Sequence, residues 1–102
     1  MEKRYSLIHN TARRRYEFHL GGEVAYVEYE PAATRGVWLL THTIVPARFE
    51  GQGIAGELVE ATLEAFRKRG ERIIPECLYI VRYLQRHPEW QTLLPEGFRI
   101  EA

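Results

Sequence analysis

Cysteine is almost absent: Cys77 stands alone among 102 residues. No intramolecular disulfide can form, which suits a reducing compartment such as the cytoplasm. Net charge is missing as well. Lys and Arg number 14 and Asp and Glu number 14, so no global basic field exists to hold a polyanion, and nucleic acid is not an expected partner. No apolar run approaches the roughly 20 residues that a membrane-spanning helix needs, and Met1-Glu2-Lys3-Arg4 leads into no apolar signal core. Linkers, repeats and low-complexity tracts are also lacking. His9, His19, His42, His87 and Cys77 show no metal-ligand spacing, so no metal is expected. What is present is an ordinary globular balance, 45% apolar and 27% charged. The length allows one modest core, and residues 1–102 are expected to form a single domain.

Residues 5–8 read as a short strand, with a turn starting at Asn10-Thr11. Residues 15–20 alternate, Tyr16, Phe18 and Leu20 pointing one way and Arg15, Glu17 and His19 the other, which is the period of a half-buried strand. Gly21-Gly22 signals a tight hairpin. Residues 23–29 return as its second strand, with Ala25, Val27 and Tyr29 on one face. After a loop at 31–36, residues 37–45 form a long strand, apolar on both faces at Trp38, Leu39, Leu40, Ile44 and Val45, and so expected to be central and covered from both sides. Residues 53–69 form an amphipathic helix. Ile54, Leu58, Leu63 and Phe66, with Ala55, Val59, Ala61 and Thr62, make its buried stripe, and Glu57, Glu60, Glu64, Arg67 and Lys68 its wet side. Glu64 and Lys68 stand at i,i+4, and Gly70 ends the helix. Residues 71–74 are a short strand stopped by Pro75. A short helix at 78–86 is closed by His87-Pro88. The order predicts an α/β (α+β) sandwich with a mostly antiparallel twisted sheet, in which the unit 37–74 joins parallel strands.

The segment Thr43-Ile44-Val45-Pro46-Ala47-Arg48-Phe49-Glu50-Gly51-Gln52-Gly53-Ile54-Ala55-Gly56 carries the most functional information. A strand enters a glycine-rich turn, and the turn opens a helix. That leaves free N–H groups at the positive end of a helix dipole, where an anionic phosphate is stabilised. Glycines let backbone approach a ligand closely. No Gly-Lys-Ser/Thr follows, so the segment is not a P-loop, and the hairpins before it do not suit a dinucleotide fold. Taken alone, the glycine pattern is equally compatible with a plain structural turn.

Several motifs in order, His42-Thr43-x-Val45-Pro46, Glu50-Gly51-Gln52-Gly53-Ile54-Ala55, Pro75-x-Cys77 and Tyr83-x-x-Arg86-His87-Pro88-Glu89, resemble the small, minimal branch of the GCN5-related N-acetyltransferase superfamily. The resemblance spans roughly residues 8–94. It implies a GNAT-like sandwich, with a long helix after the glycine turn and a short C-terminal helix, that uses acetyl-CoA as co-substrate. The superfamily pattern Arg/Gln-x-x-Gly-x-Gly/Ala falls on Glu50, Gly53 and Ala55, so Glu50 departs from it. A carboxylate there costs affinity for a diphosphate unless it turns away, for instance toward Arg48. The resemblance also implies that the pantetheine arm adds as a strand beside Thr43, Ile44 and Val45. The pyrophosphate then rests on Gly51, Gln52, Gly53, Ile54 and Ala55, and the thioester reaches toward Cys77.

Three side chains are chemical candidates. Cys77 precedes a helix whose dipole lowers a thiol pKa; it is either a covalent nucleophile or a lining of the thioester channel, or else a small buried hydrophobe. Alternation puts His42 on the face of Trp38, Leu40 and Ile44, where it is a general base for an incoming amine or an ordinary sheet histidine. The resemblance implies a tyrosine that protonates the leaving thiolate; Tyr83 is the candidate and Tyr79 its rival, against a core-tyrosine reading for both. Arg13-Arg14-Arg15 reads as a solvated hairpin surface, with a CoA 3′-phosphate or an acidic partner as the alternatives. The expected activity is acetyl transfer from CoA to an amine, carried by a small molecule or a protein, by a monomer or small homo-oligomer. The rivals are a non-catalytic CoA-binding module acting through a partner and a Cys-His thioester hydrolase.

Overall fold

The computed structural model describes residues 4–101. Five strands form one sheet in sequence order, β1 (Ile8–Asn10), β2 (Arg15–His19), β3 (Val24–Pro31), β4 (Val37–Ile44) and β5 (Arg72–Pro75). The first four are antiparallel, and β4 and β5 are parallel. The crossover between β4 and β5 is helix α1 (Ile54–Lys68). Helix α2 (Leu78–Arg86) and a 3-10 helix, Pro88–Leu93, follow β5. This is the expected mostly antiparallel α+β architecture. No helix of the described residues is long and apolar enough to cross a membrane.

The alternation of β2 and β3 places Tyr16, Phe18, Ala25, Val27 and Tyr29 on one face, all buried. Leu20 and Glu23 close the hairpin around the two glycines, with Leu20 N–H donating to the Glu23 carbonyl at 2.8 Å. Gly21 sits at φ 81°, which suits the first central position of a type II′ turn. On the same face, α1 contributes Ile54, Leu58, Leu63 and Phe66 and α2 contributes Ile80 and Leu84 to one buried cluster with Leu40 and Ile73. Phe66 takes the edges of Tyr16 and Tyr29 at 5.3 and 5.7 Å between ring centroids. Burying such a side chain contributes about 1.5–3 kcal/mol, with up to about 1 more from edge-to-face geometry. Past Gly70, at φ 70°, the Glu71 N–H returns to the Phe66 carbonyl at 3.1 Å and the Gly70 N–H to that of Arg67 at 3.0 Å. That is a Schellman stop, and it aims the chain into β5.

Several expectations are corrected. The first strand lies at Ile8–Asn10 and not at 5–8, because Tyr5 and Leu7 pack against the core, with Tyr5 5.3 Å from Phe18. Glu17 is only 5% exposed although it faces away from the helices; Asn10 and His19 hold its two carboxylate oxygens at 3.1 and 2.9 Å. Glu64 pairs with Arg67 rather than Lys68. Pro75 is the last residue of β5 rather than the stop beyond it.

The central correction concerns β4. Tyr29 pairs with Leu40 and Glu28 with His42, so Thr41 is an extra residue, a bulge, and its hydroxyl donates to the Glu28 carbonyl at 3.2 Å. A bulge shifts side-chain parity by one. Trp38 and Leu40 therefore face the helices, while His42 shares the opposite face with Ile44, Glu28 and Tyr26. No element of the described residues covers that face: Ile8 and Ile44 on it are each 43% exposed.

His9 reports on the core at the far end of α1. Its ring stacks on Tyr16 at 4.1 Å, and its Nε2 lies 2.6 Å from the Tyr29 hydroxyl. Burial, then the nearby Arg69 guanidinium, push its pKa down, while Glu71 pushes the other way. The unfolded chain therefore binds a proton more readily than the folded one, and stability falls as pH drops below the ordinary histidine range near 6.5. Thermal unfolding from pH 7 to pH 5 is expected to show a smaller loss in His9→Gln than in the parent chain.

Candidate functional site

The pairing of β4 with β5 runs from Val37 beside Arg72 to Leu40 beside Pro75. One further bond, Glu76 N–H to the Leu40 carbonyl at 2.8 Å, ends it. Beyond the bulge, β4 keeps β3 on one side and, among the described residues, no strand on the other. Its second half is thus an exposed edge inside the sheet, where an extended ligand can find backbone partners.

The chain leaves this edge at Val45-Pro46, makes a 3-10 turn at Ala47–Phe49, and enters α1 through Gly51 and Gly53, at φ 79° and 78°. A side-chain-bearing residue is strained at such angles. Gly53 is the N-cap and offers no side-chain acceptor, so the first N–H groups of α1 have no capping side chain.

Between the open edge and this turn lies a groove of about 520 Å³ lined by Thr43, Ile44, Val45, Phe49, Glu50, Gly51, Gly53, Ile54, Ala55, Gly56 and Tyr79. All of the cofactor candidates except Gln52 are on that lining. Phe49, Glu50, Gly56 and Tyr79 are additions to the expected set. Gly56 was visible as the last glycine of Gly51-x-Gly53-x-x-Gly56. The place of Tyr79 follows from packing, since its hydroxyl lies 3.7 Å from where a Gly56 Cβ would stand.

The chemical candidates separate. Cys77, half-buried, is the N-cap of α2 and does not cap it with its thiol. The thiol instead reaches back across the split and lies 3.5 Å from the Thr43 hydroxyl, at the groove wall. Tyr79 is in the groove, and burial, the largest influence, raises its pKa. Tyr83 lies one turn further along α2, off the groove lining, with its ring 4.3 Å from that of His87. Burial pushes its hydroxyl up to about 12. His42 is on the opposite face of the sheet, with a side chain 64% exposed and Nε2 4.0 Å from Glu28. Arg48 does not draw Glu50 away, because its guanidinium pairs with Glu23 of the hairpin, and Glu50 stays on the groove lining. Arg13 and Arg14 sit in the turn between β1 and β2, by Tyr29 and the far end of α1, which separates them from the glycine turn.

A parallel strand pair that splits at a bulge, with a glycine turn and a helix N-terminus beside the split, defines the class: an α+β domain of the GCN5-related type. Residues 15–93 match the family described as GCN5-related N-acetyl-transferase, and the chain belongs to it. It is similar to Protein NATD1 of Xenopus tropicalis, 32% identical over 87 residues, which cover 83% of this chain and 79% of that protein. Protein NATD1 of Mus musculus is 33% identical over 87 residues, 83% of this chain and 78% of that one. Protein NATD1 of Homo sapiens is also 33% identical over 87 residues, with shares of 83% and 76%.

The two central glycines should respond oppositely to alanine. Gly53→Ala forces a left-handed alanine and is expected to lower stability by about 1–2 kcal/mol. Gly56→Ala has helical backbone and an ordinary 3.7 Å contact to Tyr79, and is expected to raise it by up to about 1 kcal/mol. Urea midpoints of the two variants check both signs.

Proposed function

We propose that the protein is an acetyl-CoA-dependent N-acetyltransferase acting on an amine. The observation that carries this reading is the groove itself, an unpaired strand edge ending at a helix N-terminus, which matches an extended arm ending in a diphosphate. The family typically uses acetyl-CoA. In this reading the pantetheine arm pairs along Thr43, Ile44 and Val45. The diphosphate rests on the amides of the glycine turn, from Gly51 through Gln52, Gly53 and Ile54 to Ala55. The acetyl thioester lies near Thr43 and Cys77, where the strands part.

The amine nitrogen attacks the thioester carbonyl, the carbon–sulfur bond breaks, and the thiolate leaves. Tyr79, protonated and in the groove, supplies the thiolate with a proton in this reading, favoured over Tyr83 because it lines the groove. The amine sheds its own proton to water or, from the open face, to His42. Alignment of an already activated thioester supplies most of the rate. A cytoplasmic setting, which keeps Cys77 and the released CoA as thiols, suits this chemistry.

Acetyl-CoA is expected to bind the parent chain in calorimetry, and Ala55→Trp to weaken binding by about tenfold or more through overpacking of the groove. Unchanged affinity in that variant overturns the site. Incubation with acetyl-CoA and mapping by mass spectrometry addresses Cys77: an acetyl mark there, with transfer lost in Cys77→Ala, identifies a nucleophile, whereas no mark and full transfer leaves it as a channel wall. The uncovered sheet face favours one second reading, a CoA-binding module that works through a protein docked there. Binding without transfer to any of a panel of amines would select it.

A further inference from the structure

Glu50 lines the groove where a diphosphate is to lie, so the turn meets that anion with its backbone N–H groups beside an acidic residue. How those groups are aimed depends on a residue from the other end of the chain. Arg4 Nη2 donates to the Gln52 carbonyl at 2.7 Å, and Arg4 Nε donates to Glu57 Oε2 at 2.6 Å. Glu57 belongs to the first turn of α1, so the guanidinium bridges the glycine turn and the helix it opens. In a trans peptide the carbonyl and the following N–H point in opposite directions, and no peptide bond of the described residues is cis. The Gln52 carbonyl held on Arg4 therefore turns the Gly53 N–H away from Arg4. Gly53 lines the groove and Gln52 does not, which fits an amide whose carbonyl faces out and whose N–H faces in. Gly53, at φ 78°, has no Cβ to restrict its backbone, and without this anchor its amide plane can rotate. A positive charge at the carbonyl end also polarises the N–H toward an anion.

We propose that Arg4 is a positioning residue for the cofactor diphosphate: it fixes the Gln52–Gly53 peptide plane so that the Gly53 N–H points into the groove. This rests on the acetyl-CoA reading above. The fork geometry of arginine makes the double contact possible, since one planar group reaches a carboxylate and a carbonyl at once.

The test compares the parent chain with Arg4→Gln, using acetyl-CoA and S-acetylpantetheine, which has the same arm and thioester but no diphosphate. Calorimetry is expected to show acetyl-CoA affinity down about five- to tenfold in Arg4→Gln, within the range for one ordinary hydrogen bond, and S-acetylpantetheine affinity unchanged. In 15N–1H spectra, the shift of the Gly53 amide on adding acetyl-CoA should shrink in the variant. An equal loss for both ligands would make Arg4 a purely structural brace and overturn the proposal, as would an unchanged affinity and Gly53 shift. Failure of the parent chain to bind acetyl-CoA overturns the functional reading and this inference together, which separates the two failures.

Discussion

The bulge at Thr41 is the constraint on which the rest of the site depends. One extra residue in β4, pinned by the hydroxyl bond to the Glu28 carbonyl, marks the strand in two ways. It rotates every later side chain to the other face, and it stands where the parallel pairing of β4 with β5 ends, at Leu40. Past that point no strand of the described residues pairs with the backbone of Thr43 and Val45 on the β5 side. The split leaves those groups open, sets Thr43 opposite Cys77, and lets α1 begin beside the gap. The groove is thus a consequence of sheet geometry, with the glycine turn closing its far end.

Electrostatics at that end are local. A chain with 14 acidic and 14 basic residues has no field with which to gather an anion from solution. Around the glycine turn the charged groups are largely paired: Arg48 with Glu23, Arg4 with Glu57. In the proposed function, backbone dipoles, oriented by the turn and concentrated at the helix start, remain as the recognition element. Such a site depends more on the exact path of the chain than on any one side chain. That is consistent with Glu50 standing where relatives of the wider superfamily carry Arg or Gln.

Much of the fold was legible in the residues. The buried stripe of α1, the alternation of β2 and β3, the two-glycine hairpin and the proline-terminated α2 all follow from local periodicity and local turn chemistry. The groove lining from Thr43 to Ala55 was legible for the same reason, because a strand–turn–helix unit is contiguous in sequence. Glu17 misleads because its burial depends on Asn10 and His19, which reach it across the sheet and along the strand. Tyr5 and Leu7 mislead because their apolar pattern serves packing against the core instead of strand pairing. Tyr79 and Tyr83 are equivalent by composition and differ in the turn of α2 that meets Gly56. His42 was assigned to the wrong face because alternation cannot register an inserted residue.

By itself, the sequence determined the elements, their order and the glycine turn, because each of these is set by residues within a few positions of one another. Only the tertiary structure decided where β4 breaks from β5, which tyrosine enters the groove, which face His42 occupies, and that Arg4 meets Gln52 and Glu57. Those facts rest on pairing register and on contacts between distant segments. Periodicity has no access to them, because a one-residue shift in register leaves composition unchanged and reverses every side chain beyond it.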